Sequence, residues 1–174
     1  MKVYIVGPVA SGKSTLARQL SQLTGTPCFH LDEIVHAKDP TNPQGNRKRP
    51  VPERDRLFQD ILAKGSYILE DTGRSCFVEG MKQADQVVLL DVSPVLRRKR
   101  VITRWLRQRL GLESCSYRPS VSMLCDMFRW SKNYETGADG TRARAEQLSQ
   151  KLTILRTRGE IAAFLRSCSQ KKGD

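Results

Sequence analysis

Apolar positions along the 174-residue chain change their period several times. Residues 2–6, KVYIV, are almost continuously apolar and rich in β-branched side chains, the pattern of a parallel strand buried on both faces. Beyond the next turn, Leu16, Leu20 and Leu23 recur at helical spacing until Gly25 and Pro27 stop the pattern. Residues 26–31 predict a second strand. Proline, glycine and asparagine are dense in 36–52 and no period survives there, so a loop is expected. Pro52 reads as the first-turn proline of a helix that ends at Gly65. Strand patterns return at 66–69, 86–91 and 151–155, with a short helical piece between the first two. Helical patterns cover 94–110, 121–130, 141–148 and 159–167. In the 94–110 helix, Leu96, Val101, Ile102, Trp105, Leu106 and Leu110 are expected to face a core. The last few polar residues are expected to fray.

Strands that alternate with helices imply parallel βαβ units and an α/β sheet covered on both faces. The length, the absence of repeats and the absence of a linker-like stretch predict one domain spanning 1–174. The longest apolar run, QVVLL, falls far short of the ~20 residues that span a bilayer, so no membrane partner is expected. No Lys/Arg-rich leader precedes the first strand. Five scattered cysteines form no C-x-x-C pair, which argues against a disulfide framework or structural zinc and for a reduced, cytoplasmic chain.

A formal net charge of +12 draws the chain toward polyanions, and the position of the charges decides which. Gly7-Pro8-Val9-Ala10-Ser11-Gly12-Lys13-Ser14 matches G-x-x-x-x-G-K-[ST] and lies between a strand and a helix, the context a phosphate-binding loop requires. Glycines let successive N–H groups turn inward, and the helix dipole favours an anion. Lys13 is the point charge for β/γ-phosphates, the Ser14 hydroxyl a ligand for Mg²⁺, and the Thr15 hydroxyl a partner for the α-phosphate. The loop therefore predicts a bound nucleoside triphosphate.

The 94–110 helix is strongly basic. Arg97, Arg100, Arg104 and Arg107 share one stripe by helical spacing, with no acid among them, so an anion is expected there; a ligand-free basic surface is the competing reading. Asp32, Glu70, Asp71 and Asp91 lie at predicted strand ends, where open α/β sheets bind ligands. Of these, Asp91 is expected to cap the arginine-rich helix. His30 and His36 lack zinc-type spacing and read as packed or hydrogen-bonded polar groups. Cys115 and Cys125 are spaced too widely for a zinc-bearing lid.

With these elements in place, the chain resembles the small P-loop kinases related to adenylate, gluconate and shikimate kinases, and within them the DNA topology modulation proteins. FHLDEI, YILEDTGR, VVLLDVSPVLRRKRVITR and LTILRTRGEIAAFL carry the likeness, which extends over nearly the whole chain. It implies a three-layer P-loop fold with five parallel strands in the order 2-3-1-4-5, a helical lid near 107–140 and a substrate-side segment near 33–62. It implies ATP rather than GTP, with Mg²⁺. By the R-x-x-x-R match, Arg100 lies beside the base and Arg104 on the phosphates. Arg142 or Arg144 supplies a second clamp when the lid closes, with Arg129 as a weaker competitor. Asp32 becomes a general base or substrate anchor, a turn cap being the equal alternative. Arg74 takes the substrate-phosphate position, and Glu70 and Asp71 become metal ligands. Arg156 and Arg158 lie in the loop that borders the adenine in related kinases, a solvated loop being the equal alternative. The function implied is γ-phosphoryl transfer to a nucleotide or another small anionic acceptor. The alternative is a nucleotide-dependent nucleic-acid-binding regulator with weak ATPase activity, drawing on Arg47-Lys48-Arg49 and on Trp105, Trp130 and Tyr134 as stacking surfaces.

Overall fold

A computed structural model describes residues 1–113, 115 and 117–170. The elements follow in chain order: β1 (Lys2–Val6), α1 (Lys13–Thr24), β2 (Cys28–His30), α2 (Leu31–Val35), β3 (His36–Lys38), β4 (Asn46–Lys48), α3 (Val51–Leu62), β5 (Tyr67–Asp71), α4 (Val78–Gln83), β6 (Gln86–Leu90), α5 (Pro94–Arg109), α6 (Val121–Glu135), α7 (Thr141–Glu146), β7 (Leu152–Leu155) and α8 (Arg158–Gln170). The main sheet runs β2-β5-β1-β6-β7, and every pairing in it is parallel. Counting only these strands, the order is the 2-3-1-4-5 that the family resemblance implies.

The continuous apolar run of β1 has a simple cause. Successive side chains on a strand point to opposite faces. Tyr4 and Val6 enter one core with Leu69, Phe77, Met81 and Leu89, whereas Val3 and Ile5 enter another with Leu16, Leu20, Ile68 and Val88. A strand covered on both faces therefore needs no polar alternation.

Three expectations need correction. Residues 36–52 are not featureless: β3 and β4 form an antiparallel hairpin whose turn ends at Gly45, φ +80°. Strands this short carry no readable alternation, and their polar residues hid them. Leu31 does not end a strand; it opens α2 and is fully buried. Helix α5 buries Arg97, Val101 and Gln108, while Ile102, Leu106 and Leu110 stay exposed. Residues 171–174, where fraying was expected, lie outside the described residues. Among the described residues, no helix is long and apolar enough to cross a membrane.

Candidate active site

At the carboxyl end of β1 the chain turns back on itself. A Cβ on Gly7 would stand 2.6 Å from the carbonyl oxygen of Leu90, so only glycine passes the end of β6. Gly12 takes φ +104° and begins α1 without any side-chain cap. The first N–H groups of α1 are thus left for a ligand, at the end of the helix where an anion is favoured. Lys13 is 8% exposed and folds back into the loop, where its Nζ donates to the Pro8 carbonyl at 3.0 Å.

Beneath the loop lies Glu70, 5% exposed. The parallel register sets it beside Ile5 on one side and His30 on the other. Its Oε1 accepts from Ser14 Oγ at 3.0 Å and from His30 Nδ1 at 3.1 Å. Its Oε2 is buried and has no hydrogen-bond partner among the described residues. Burial pushes the carboxyl up, but the bond from His30, the charge of Lys13 and the bond from Ser14 outweigh it, so the group stays below its ordinary value. His30 is raised in turn, chiefly by its bond to Glu70. A hydroxyl and an ionised carboxylate with one spare oxygen form a hard-oxygen donor pair of the kind Mg²⁺ takes beside phosphates. No group of three or more His, Cys, Asp or Glu among the described residues forms a metal cage.

Asp71, expected as a second metal ligand, is committed elsewhere. Its Oδ2 accepts from Tyr4 Oη at 3.3 Å and from the amides of Gly73 and Arg74 at 2.7 and 2.6 Å, and its Oδ1 from Arg74 Nη1 at 2.5 Å. Arg74 extends the cluster to Asp32, which it pairs through Nη2. Asp32 is exposed, in the first turn of α2. Burial lowers the Arg74 guanidinium, but Asp71 and Asp32 reverse the effect and raise it.

From the other side, Arg100 reaches the loop and donates to the carbonyls of Ser11 at 2.7 Å and Ala10 at 3.4 Å. Burial, and then the charge of Arg158, hold its guanidinium below the ordinary value. Arg100, Arg104 and Arg158 line a groove of about 630 Å³ between the loop, α1 and α5. Arg104 and Arg107 share Glu113, at 3.2 and 3.6 Å. The four-arginine stripe is therefore broken. Arg97 is 1% exposed, bonded to Ser131 Oγ at 2.9 Å and Glu135 at 3.0 Å, with its guanidinium 5.1 Å from the Tyr134 ring centre.

Asp91 does not cap α5; Ser93 does, accepting from the Leu96 amide at 3.4 Å. Instead Asp91 gathers three elements: Tyr134 Oη at 2.9 Å, Arg142 Nη2 at 2.7 Å and Arg156 Nε at 3.6 Å. Arg144 donates to the carbonyls of Gly73 and Asp139. Arg129 is exposed and pairs with Asp126 at 3.0 Å. The structure thus brings together Lys13, Ser14, Glu70 and Arg100, with Arg104 and Arg158 on the groove wall. It places Asp32, Asp71 and Arg74 in a second cluster, Arg142 and Arg156 on Asp91, and Arg144 on the 72–74 turn. Sequence reasoning missed the contact of His30 with Glu70 and the gathering role of Asp91. His30 had one signal, its place at the end of a strand beside the β5 carboxylate.

No family model matches the chain. A curated shikimate kinase from Actinobacillus succinogenes is 29% identical over 80 residues, which are 41% of this chain and 43% of that protein. The chain therefore matches less than half the length of that relative. Among solved structures, a shikimate kinase from Acinetobacter baumannii in complex with shikimate superposes with TM-score 0.59 and 19% identity, over 97% of this chain and 90% of that one. A shikimate kinase from Bacteroides thetaiotaomicron gives 0.58 and 13%, over 99% and 98%. A gluconokinase from Sinorhizobium meliloti 1021 gives 0.51 and 12%, over 99% and 91%. These likenesses establish the fold: an α/β sheet of five parallel strands flanked by helices, as in P-loop kinases of the shikimate and gluconate type.

Proposed function

We propose that the chain is an ATP-dependent phosphotransferase that moves the γ-phosphoryl group to a nucleotide or another small anionic acceptor. The observation that carries this reading is the Ser14–Glu70 pair under the loop, with one carboxylate oxygen left over, beside a Lys13 already folded toward the phosphate position. Ser14 and Glu70 would hold Mg²⁺, which when bound neutralises charge on the β- and γ-phosphates. Residues 7–15 supply amides and the Lys13 charge, and Arg100 braces the loop from α5. Arg104 and Arg158 serve the nucleotide along the groove. Asp32 and Arg74 form the acceptor end, with Asp71 orienting Arg74 through its amide and its guanidinium. Arg142 and Arg156 wait on Asp91, and Arg144 holds the turn that carries Arg74. The narrower placement among the DNA topology modulation proteins, and a cytoplasmic site of action, rest on the sequence resemblance and composition.

The regulator reading retains the +12 charge and the exposed Arg47 and Lys48. It loses Tyr134, which is buried, and the Trp105 ring already carries the Arg109 guanidinium 5.2 Å from its centre.

The test is Mg²⁺-dependent ATP consumption across nucleoside monophosphates, nucleosides and small sugar acids, with and without DNA. A new phosphorylated product with one small acceptor, abolished by Lys13→Ala in a protein with wild-type circular dichroism, supports the assignment. Free phosphate released only with DNA favours the regulator, and full transfer by Lys13→Ala refutes the loop's role.

A further inference from the structure

Helix α5 is turned inside out. It buries Arg97 and Gln108, yet Val95, Ile102, Leu106 and Leu110 stand 76, 45, 46 and 71% exposed, and Leu112 beyond them 68%. At 3.6 residues per turn, the four aliphatics on and just after the helix fall within roughly 80° of one another. Lys99 interrupts this stripe and also lines the groove; Arg109 and Arg98, the latter paired with Glu135 at 3.3 Å, border it. No acidic residue occurs from Pro94 to Leu112. Arg100 and Arg104 turn the other way, toward the phosphate loop and its groove. A contiguous row of exposed aliphatics on a folded protein marks a contact surface.

The charges choose the occupant. A second copy laid face to face would bring Arg98, Lys99 and Arg109 of one helix against the same three of the other, an arrangement opposed by like-charge repulsion. The occupant must offer negative charge beside apolar depth. A bilayer with anionic headgroups does so along the whole length of the helix, about 24 Å for its 16 residues, without requiring a matching groove. The basic side chains can keep their charged ends at the headgroups while their stems lie along the apolar boundary.

We propose that α5 is a membrane-surface helix: Val95, Ile102, Leu106, Leu110 and Leu112 enter the boundary between headgroups and acyl chains, and Arg98, Lys99 and Arg109 engage the lipid phosphates. The helix lies on the bilayer and does not span it. Lys99 also lines the groove, whereas Val95, Ile102, Leu106, Leu110 and Leu112 do not, so substitutions of the aliphatic row test the docking separately from phosphotransfer.

The test is cosedimentation of the full chain with vesicles of phosphatidylcholine alone and of phosphatidylcholine mixed with phosphatidylglycerol. Binding to the mixed vesicles alone, weakening as salt rises, is expected. Ile102→Asp with Leu106→Asp lowers that partition at least about tenfold. Arg98→Gln with Arg109→Gln lowers it about fivefold per charge. All four positions are exposed and Arg98→Gln gives up only a partly exposed pair with Glu135 at 3.3 Å, so the variants keep a melting temperature close to wild type; Val95→Asp, at the most exposed position, provides a separate reading and lowers binding at least about threefold. No binding to mixed vesicles overturns the proposal. So does wild-type binding by the aspartate variants, which would leave charge alone at work. A dimer in sedimentation equilibrium that the same aspartates dissolve also overturns it, because the face would then meet a second copy.

Discussion

Glu70 and Asp71 are adjacent on β5 and face opposite sides of the sheet. Both are buried carboxylates at the carboxyl end of a central strand, and sequence reading assigned both to one metal. Their partners divide them. Asp71 has both oxygens taken, by a tyrosine, two amides and a guanidinium. Glu70 has one oxygen taken and the other buried without a partner among the described residues. A buried acceptor left short of donors is costly unless something arrives to use it. The same contrast separates Arg97 and Arg100, three residues apart on α5. Arg97 is matched by Glu135 and Ser131, whereas Arg100 meets only carbonyl oxygens and the charge of Arg158. Asp71, with both oxygens taken, and Arg97, paired with a carboxylate even though its buried Nε has no partner among the described residues, hold the fold; the spare oxygen of Glu70 and the carbonyl-bonded Arg100 point to the ligand.

The largest effect should come from removing the unsaturated carboxylate. Glu70→Gln lowers Mg²⁺-dependent turnover by about 100-fold or more while the melting temperature moves little, because the amide still bridges Ser14 and His30. Asp71→Asn should do the reverse: it leaves the half-buried Arg74 with the exposed Asp32 as its one carboxylate among the described residues and costs about 3 kcal/mol of stability, read by urea denaturation. A stability loss for Glu70→Gln that matches the loss for Asp71→Asn would break the comparison.

The arginine pair sharpens it further. Arg97→Met removes the buried partner of Glu135, leaving it the exposed Arg98 at 3.3 Å, and should cost about 2 kcal/mol in the same denaturation experiment. Arg100→Met leaves stability within about 0.5 kcal/mol and weakens ATP binding roughly tenfold by calorimetry.

The smallest effect is a pH slope. His30 is raised in the folded state, so its bond to Glu70 contributes fully below the ordinary imidazole value, and that contribution is lost as pH rises through the higher folded value. Glu70 is lowered, so its contribution is present above the ordinary carboxylate value and fades as pH falls through the lower folded one. Urea midpoints should therefore fall on the alkaline side, and His30→Asn should flatten that limb.

Much of the fold was legible because its signals are local. The period change at Gly12, the continuous apolar strands and Pro52 in the first turn of α3 all follow from rules acting within a few residues. The phosphate loop was legible for the same reason. What sequence hid depends on who meets whom across the sheet. Nothing in ED at 70–71 says which carboxylate faces the loop, because the alternation rule gives opposite faces without naming them. Nothing in RRKR says that Arg97 finds Glu135 thirty-eight residues later. The hairpin of β3 and β4 escaped because three residues per strand, only Ala37 of them apolar, carry no readable periodicity. The exposed row on α5 escaped because an apolar stripe predicts burial, and here Arg97, Val101 and Gln108 form the buried face instead.

The most direct test of the central claim, that Ser14 and Glu70 hold the metal of a loop-bound nucleotide, is calorimetric titration of ATP with and without Mg²⁺ into wild type, Glu70→Gln and Asp71→Asn. The account predicts that Mg²⁺ strengthens ATP binding in wild type and in folded Asp71→Asn, and that Glu70→Gln removes most of that gain while metal-free ATP binds as before. An undiminished Mg²⁺ effect in Glu70→Gln, or its loss in Asp71→Asn alone, would contradict it.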